Sequence, residues 1–399
     1  MLTSLALIIL IGLAMSSICN KIKLPGIIGM LVTGIVLGPF VLDLLDPSIL
    51  SISADLRKIA LIIILLKAGL SLDLEDLKKV GRPAILLSFL PASFEILAYI
   101  IFAPMILGLT RIEAALMGAV LGAVSPAVVV PRMVNLLEKG YGTKEGIPQM
   151  ILAGSSMDDI FVIVLFTSFL SMAQGGSAQI IDFLNVPISI VLGILLGAII
   201  GYILYQFFEH AYKKGNYIRN SMKVIIVLGF SFLLIAIEDI LDGKVAVSGL
   251  LAVVAMAAVL RIKSTDFVTR RLGEKFGMLW LFAEVMLFVL VGAAVDIRYT
   301  LEAGLPALLM IIVALMVRTL GVLFATSKTK LTSKERLFCV LSYLPKATVQ
   351  AAIGSVPLAA GLACGKIILS VAVMAIVVTA PLGAIAMDST YKTLLQKEN

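Results

Sequence analysis

Residues 147–173 read Ile147-Pro-Gln-Met-Ile-Leu-Ala-Gly154-Ser-Ser-Met-Asp158-Asp159-Ile-Phe-Val-Ile-Val-Leu-Phe-Thr-Ser-Phe-Leu-Ser-Met-Ala173. The run is apolar throughout and charged only at Asp158 and Asp159. It is long enough to cross a bilayer as a helix, which takes about 20 residues. The two aspartates stand near its middle, where an ionisable group costs roughly 2.5–3.5 kcal/mol on insertion scales. A charged pair at that depth points to a helical membrane protein with chemistry at its centre.

The rest of the chain fits this frame. Of 399 residues, 60% are hydrophobic and 14% charged, against about 25% charged in soluble domains. So little polar surface cannot cover a globule, and lipid must solvate most of the chain. Apolar runs of spanning length fall near 2–19, 24–42, 57–72, 82–107, 112–136, 147–173, 185–208, 222–241, 245–262, 275–295, 304–326, 334–358 and 361–387. These predict thirteen transmembrane helices, called spans 1 to 13. The first run lacks a basic leader and a small-residue cleavage site, so it reads as a span. Cys19, Cys339 and Cys364 lie in or beside apolar runs and read as membrane thiols, with no disulfide framework.

Lysine and arginine fall unevenly between the spans. The connections after odd-numbered spans carry 23, those after even-numbered spans 6. The positive-inside rule then predicts an outside N-terminus and a cytoplasmic C-terminus. The net charge of +7 is explained by this bias and needs no nucleic-acid partner.

The chain also resembles itself at an offset near 220 residues. Leu109-Thr110-Arg111-Ile112-Glu113 matches Leu331-Thr332-Ser333-Lys334-Glu335, and Gly69–Asp73 matches Gly292–Asp296. Gly29-Met-Leu likewise matches Gly249-Leu-Leu. Each match pairs a span with the seventh one after it, so the two copies should lie in the membrane with opposite orientation. Spans 1–6 and 8–13 are thus expected to be inverted six-helix repeats, with span 7 as linker, the architecture of secondary transporters.

Ser125-Pro126-Ala-Val-Val-Val-Pro131 in span 5 and Tyr343-Leu-Pro345-Lys346-Ala-Thr348-Val-Gln350 in span 12 occupy corresponding points of the repeats. Proline removes a donor and clashes with the preceding turn. Breaks are expected at Pro126, Pro131 and Pro345, with unwound helices 5 and 12 crossing there. Half-helix ends would offer backbone dipoles to an ion at the midplane. Ser125, Thr348 and Gln350 could add side-chain oxygens. The plainer reading is a pair of proline kinks.

Asp158 and Asp159 are the candidate ion and proton site. Adjacent helical residues point about 100° apart, so both reach one cavity without sharing one spot. Burial and mutual repulsion disfavour two charges at once, so a proton and a dehydrated cation would compete for the pair. The alternative is a structural polar pair. Glu95 in span 4 and Arg318 in span 11 are repeat partners and read as an ion pair near the pseudo-two-fold axis. Arg318 stays protonated and suits a permanent counter-charge. Lys346, at the span 12 break, either pairs with Asp158 in the empty site or neutralises carbonyl ends of the broken helices. Lys67 reads as snorkelling to the surface. Glu284 has no obvious partner, and His210 sits at the end of span 7 as an interfacial residue. Gly118-xxx-Gly122 suits close helix packing.

With these residues in place, the sequence resembles the monovalent cation:proton antiporters, and most closely the NHA-type sodium/proton exchangers. The motifs that carry the likeness are Gly122-Ala-Val-Ser-Pro-Ala-Val-Val-Val-Pro131, Ser155-Ser-Met-Asp-Asp159 and Pro345-Lys-Ala-Thr-Val-Gln350. The resemblance implies an antiporter exchanging Na+ or Li+ for H+ by alternating access, without a cofactor, and no enzyme. By the resemblance, Asp159 matches the family's ion-binding aspartate and Asp158 the one before it. With the oxygens near the breaks, the expected ion- and proton-binding set is Asp158, Asp159, Ser125, Ser155 and Thr348, the two aspartates holding the transported cation. Glu95, Arg318 and Lys346 would be structural or coupling charges. It also implies a core of spans 4–6 (81–175) and 11–13 (301–390) that moves like an elevator. Scaffold and dimerisation helices would lie in 1–80 and 176–300, with a cytoplasmic tail at 391–399. A homodimer in the lipid of a bacterial or archaeal inner membrane is expected. Many double-aspartate members carry lysine where this chain has Arg318, which leaves one-for-one exchange open.

Other functions remain to be weighed. K+/H+ exchange and Na+-coupled symport of an organic anion would suit a similar fold. An intramembrane aspartyl protease wants carboxylates facing each other across a water, usually from two helices. Adjacent residues on one helix do not provide that.

Overall fold

Most of the apolar sequence is helical. The computed structural model describes residues 1–22, 24–70, 81–175, 180–215, 218–241, 247–296 and 304–397. Its helices are α1 Leu2–Lys21, α2 Gly26–Leu37, α3 Pro47–Ser51, α4 Ser53–Leu70, α5 Arg82–Leu87 and α6 Leu90–Leu107. There follow α7 Arg111–Gly122, α8 Pro126–Lys139, α9 Ile147–Gln174, α10 Ile180–Lys213, α11 Asn220–Leu241 and α12 Gly249–Lys263. The last six are α13 Asp266–Ala293, α14 Gly304–Ala325, α15 Ser333–Ser342, α16 Thr348–Gly354, α17 Val356–Ala359 and α18 Gly365–Leu394. Nine stretches of helix among the described residues are long and apolar enough to cross a membrane; Gly26–Leu37 and Thr348–Ala359 are shorter apolar helices. Among the described residues the only β pairing is an isolated bridge between Tyr141 and Lys397.

The helices form two units. One comprises Met1–Asp55, Asp73–Ala173 and Val285–Asn399, the other Leu56–Leu72 and Gln174–Glu284. In the first, α6 packs between α7 and α14, and α18 lies against α15, α16 and α17. Close approach is set by small residues: a Cβ on Gly118 would lie 2.9 Å from the Cα of Ile96 in α6. In the second unit, Gly193, Gly197 and Gly201 form a stripe along α10. Ser248, Ala252 and Met256 lie directly against it, the last two in α12. Small residues at four-residue spacing allow two membrane helices to touch backbone to backbone.

The matched segments at 109–113 and 331–335 adopt one local structure. Thr110 and Thr332 each accept from the backbone N–H of the residue three further on, Glu113 and Glu335, at 3.3 Å. Each glutamate accepts in return from the threonine N–H at 2.8 Å. The caps have nearly the same dihedrals, φ −67°, ψ 161° and φ −67°, ψ 163°. These reciprocal caps satisfy donors that a helix start leaves free. The match of Gly69–Asp73 runs into residues 71–80, which lie outside the described residues.

Several predicted boundaries differ, and three differences have a clear physical cause. The helix expected over 82–107 is divided at Ser88 and Phe89 into α5 and α6, with Pro91 in the first turn of α6. A proline there costs little inside the new helix but cannot continue the old one. The helix expected from 275 begins at Asp266, because Arg270, Arg271 and Glu274 extend it through exposed polar turns. Apolarity marks the membrane-crossing part of a helix and is silent about its polar extension. Most clearly, Pro131 does not break its helix: α8 runs from Pro126 through Pro131 to Lys139. A proline at this position removes a single backbone donor, and the helix persists around that one loss.

Candidate functional site

The site is built around two interrupted helices in the first unit. Between α7 and α8, Ala123 (φ −73°, ψ 146°) and Ser125 (φ −88°, ψ 109°) are extended. Ser125 precedes Pro126, and a residue before proline is pushed out of the helical region. Between α15 and α16 the gap runs from Tyr343 to Ala347, with Ala347 at φ −162°, ψ −82°.

Breaking a helix at membrane depth frees backbone groups that must find partners. Here they find each other. The N–H of Ser125 donates to the carbonyl of Pro345 at 2.8 Å. The Nε2 of Gln350 donates to the carbonyl of Ala123 at 2.8 Å, and its Oε1 accepts from the N–H of Ala347 at 2.8 Å. The N–H of Lys346 donates to Thr379 Oγ1 of α18 at 2.9 Å. Gln350 is a candidate ion oxygen by sequence; in the structure its oxygen is committed to the second break.

Four charged residues meet beside the breaks. Glu95 Oε2, on α6, accepts from Arg318 Nη1 of α14 and from Lys346 Nζ, each at 2.5 Å. Arg318 donates through Nε to the carbonyl of Tyr343 at 2.8 Å and through Nη1 to the carbonyl of Gly122. Its Nη2 lies 3.4 Å from Asp158 Oδ2. Asp158 Oδ2 also accepts from the N–H of Val124 at 2.8 Å. Glu95, Asp158, Arg318 and Lys346 are each at most 1% exposed, and Asp159 is 7% exposed. The pairing of Lys346 with Asp158, one of its two expected roles, is not the one found. Its ammonium sits on Glu95, and Arg318 is the cation against Asp158.

A second set of polar atoms at the site has no hydrogen-bond partner among the described residues. It comprises Ser125 Oγ, Asp158 Oδ1, Asp159 Oδ1, Thr348 Oγ1 and the hydroxyl of Tyr343, all buried. Native interiors leave few such groups unpaired. Ser155 differs, since its Oγ donates back to the carbonyl of Leu152 at 3.2 Å.

Sequence reasoning assigns Tyr343 no role, yet it sits at the centre of the site. Its carbonyl and its ring both meet Arg318, the guanidinium carbon lying 5.6 Å from the ring centroid. Its place two residues before Pro345 is the signal that could have found it. Elsewhere, in the second unit, Glu284 proves to have a charged neighbour, Lys67, whose ammonium lies 6.0 Å from the ring centroid of Trp280. His210 lies exposed in the last turn of α10.

Known proteins resemble the chain along most of its length. A family model described as sodium/hydrogen exchanger, transmembrane, matches residues 5–388. Sodium/hydrogen exchanger 9B2 of Mus musculus is 32% identical over 387 residues, covering 94% of this chain and 69% of that protein. Sodium/hydrogen exchanger 9B1 of Homo sapiens is 33% identical over 383 residues, covering 91% of this chain and 71% of that protein. The solved structure of the sodium proton antiporter MjNhaP1 from Methanocaldococcus jannaschii at pH 8 matches with a TM-score of 0.81 and 24% identity, over 98% of both chains. That likeness speaks for the fold. Since the family model covers almost the whole chain and the relatives align along most of it, this integral membrane protein belongs to the sodium/hydrogen exchanger family.

Proposed function

We propose that the chain exchanges Na+ or Li+ for H+ by alternating access, with Asp158 and Asp159 as the charge for which the two ions compete. The observation that carries the reading is the group of buried oxygens on Ser125, Asp158, Asp159 and Thr348 that have no hydrogen-bond partner among the described residues. Leaving a buried polar group unpaired costs about 1–3 kcal/mol, so a fold that keeps several together has a use for them. A dehydrated monovalent cation needs oxygens to replace its water shell. Carboxylates add the negative charge that a proton can also claim.

The remaining charges set the background. Glu95, Arg318 and Lys346 form a fixed cluster that holds the two breaks and neutralises most of the buried charge. Ser155 stands on the same helix as the aspartates and belongs to the ion-binding set in this reading. The chain is read as thirteen spans in two inverted repeats, with the interrupted helices crossing at the site. Its N-terminus is outside and its C-terminus cytoplasmic. Residues 81–175 and 301–390 supply the moving core, and a homodimer forms through the other helices.

The test uses purified protein in liposomes that enclose a pH dye. Added Na+ or Li+ is expected to dissipate an imposed pH gradient, and the Asp158→Asn/Asp159→Asn double variant is expected to be silent. An unchanged rate in that variant would remove the site. A response to K+ in place of Na+ would identify K+/H+ exchange. Proton flux that requires an added organic anion would identify symport.

A further inference from the structure

Tyr343 is where the charged cluster and the aspartates come together. Its backbone carbonyl takes the Nε–H of Arg318, and its ring lies under the same guanidinium. The other arm of that guanidinium points at Asp158 Oδ2. The tyrosine is 1% exposed, yet its hydroxyl has no hydrogen-bond partner among the described residues. A buried tyrosine ordinarily finds one.

The position of the hydroxyl explains what it is for. It lies against Gly154 of α9, where a Cβ would overlap it. Gly154 is four residues before Asp158, about 6 Å along the helix axis and on the same face. Helical side chains lean toward the N-terminus, so the Asp158 side chain leans back toward the turn that carries Gly154. The phenol therefore lies against the face of α9 that carries Asp158, and no hydrogen bond joins it to the carboxylate. A phenol is neutral, supplies one donor and accepts through oxygen. It thus suits either a cation or the water a cation keeps.

We infer that the Tyr343 hydroxyl is a neutral oxygen of the ion site, positioning the transported cation or its retained water beside Asp158, with Gly154 as the glycine that makes room for it. This rests on the proposed exchange at Asp158 and Asp159 and names a residue of that site beyond the aspartates and the serine and threonine oxygens.

The test is Tyr343→Phe, which keeps the ring under Arg318 and the carbonyl that Arg318 bonds. In liposomes enclosing a pH dye, the apparent KM for Na+ is expected to rise about tenfold, the loss expected for one hydrogen bond to a charged group. The rate at saturating Na+ should stay within about twofold. At a fixed Na+ concentration the pH profile should move towards higher pH, since a site that holds Na+ less tightly yields to H+ at a lower proton concentration. Gly154→Ala, which crowds both the phenol and the Leu87 side chain of α5, should raise KM in the same direction. Na+-dependent thermal stabilisation of the detergent-purified protein gives a second readout that needs no transport. It should require about tenfold more Na+ in Tyr343→Phe. A variant with wild-type KM and pH profile would overturn the inference. So would a uniform loss of rate with KM and pH profile unchanged, which is the signature of a structural role. The aspartate double variant run alongside separates the two failures: if it still transports, the proposed site is wrong, whereas a silent double variant with normal Tyr343→Phe kinetics condemns only the tyrosine.

Discussion

Gln350, on α16, donates to the carbonyl of Ala123 across 2.8 Å and so ties one broken helix to the other. Its oxygen takes the N–H of Ala347 at the same distance, so one side chain serves a freed backbone group in each break. Gln350→Leu would leave both groups buried and unserved, at about 1–3 kcal/mol each. A clear fall in the unfolding midpoint of the detergent-purified protein is expected. Gln350→Glu should also be destabilised, because it turns an acceptor towards the Ala123 carbonyl. A wild-type midpoint for Gln350→Leu would show that the tie carries no load.

Glu95 is the sole carboxylate within hydrogen-bond distance of Lys346 among the described residues, and it shares the same oxygen with Arg318. Removing one partner of a buried pair costs about 3–5 kcal/mol, because the other charge stays behind. Glu95→Gln is therefore expected to lower the thermal midpoint sharply. Combining it with Lys346→Gln should recover part of the loss by removing the stranded ammonium. Midpoints that fall additively would argue against the pairing.

The two aspartates should separate stability from transport. Asp158 Oδ2 holds the Val124 N–H and faces Arg318, whereas Asp159 Oδ1 holds nothing in the described residues. Under the proposed exchange, Asp158→Asn and Asp159→Asn both stop Na+-driven proton flux, but only the first loses stability, by about 1–3 kcal/mol. Na+ at a hundred times its dissociation constant should stabilise the wild-type protein by about 2.7 kcal/mol. Asp159→Asn should lose that gain. Equal thermal midpoints for the two variants would contradict the asymmetry.

Gly197 faces Ala252 so closely that a methyl group would overlap the alanine carbonyl, whereas nothing lies within 4 Å of the same point on Gly229. Gly197→Ala is expected to cost about 1–3 kcal/mol through overpacking and to reduce the monodisperse yield on size-exclusion chromatography. Gly229→Ala should leave the yield unchanged or raise it. Equal yields would mean that α10 and α12 have room to part.

Much of the frame is legible in the chain itself. Long apolar runs announce helices in lipid, and Asp158 and Asp159 stand out because almost nothing near them is polar. The caps at Thr110 and Thr332 are legible for a different reason: a capping box needs only four consecutive residues. The meeting of Lys346 with Glu95 is not, since the two are separated by 251 residues and either could have faced another partner. Glu284 and Lys67 belong to the same class of long-range neighbours. Tyr343 passes as one more buried aromatic because its hydroxyl matters only against a glycine on another helix. Pro131 misleads when residue type is read without position: a proline preceded by extended residues marks a break, and one a few residues into a helix does not.

The charges of the buried cluster have a final consequence. Glu95, Asp158 and Asp159 stand against Arg318 and Lys346, so the cluster with every group ionised and no ion aboard is left one negative charge in excess. One Na+ cancels that excess, and so does one H+. Carrying an uncancelled charge through the middle of a bilayer costs roughly 2.5–3.5 kcal/mol, or about two orders of magnitude in rate. Under the proposed exchange, a vacant carrier would therefore be slow to cross while either loaded form is not. The same arithmetic that binds the ion would keep the protein from short-circuiting the gradient on which it runs.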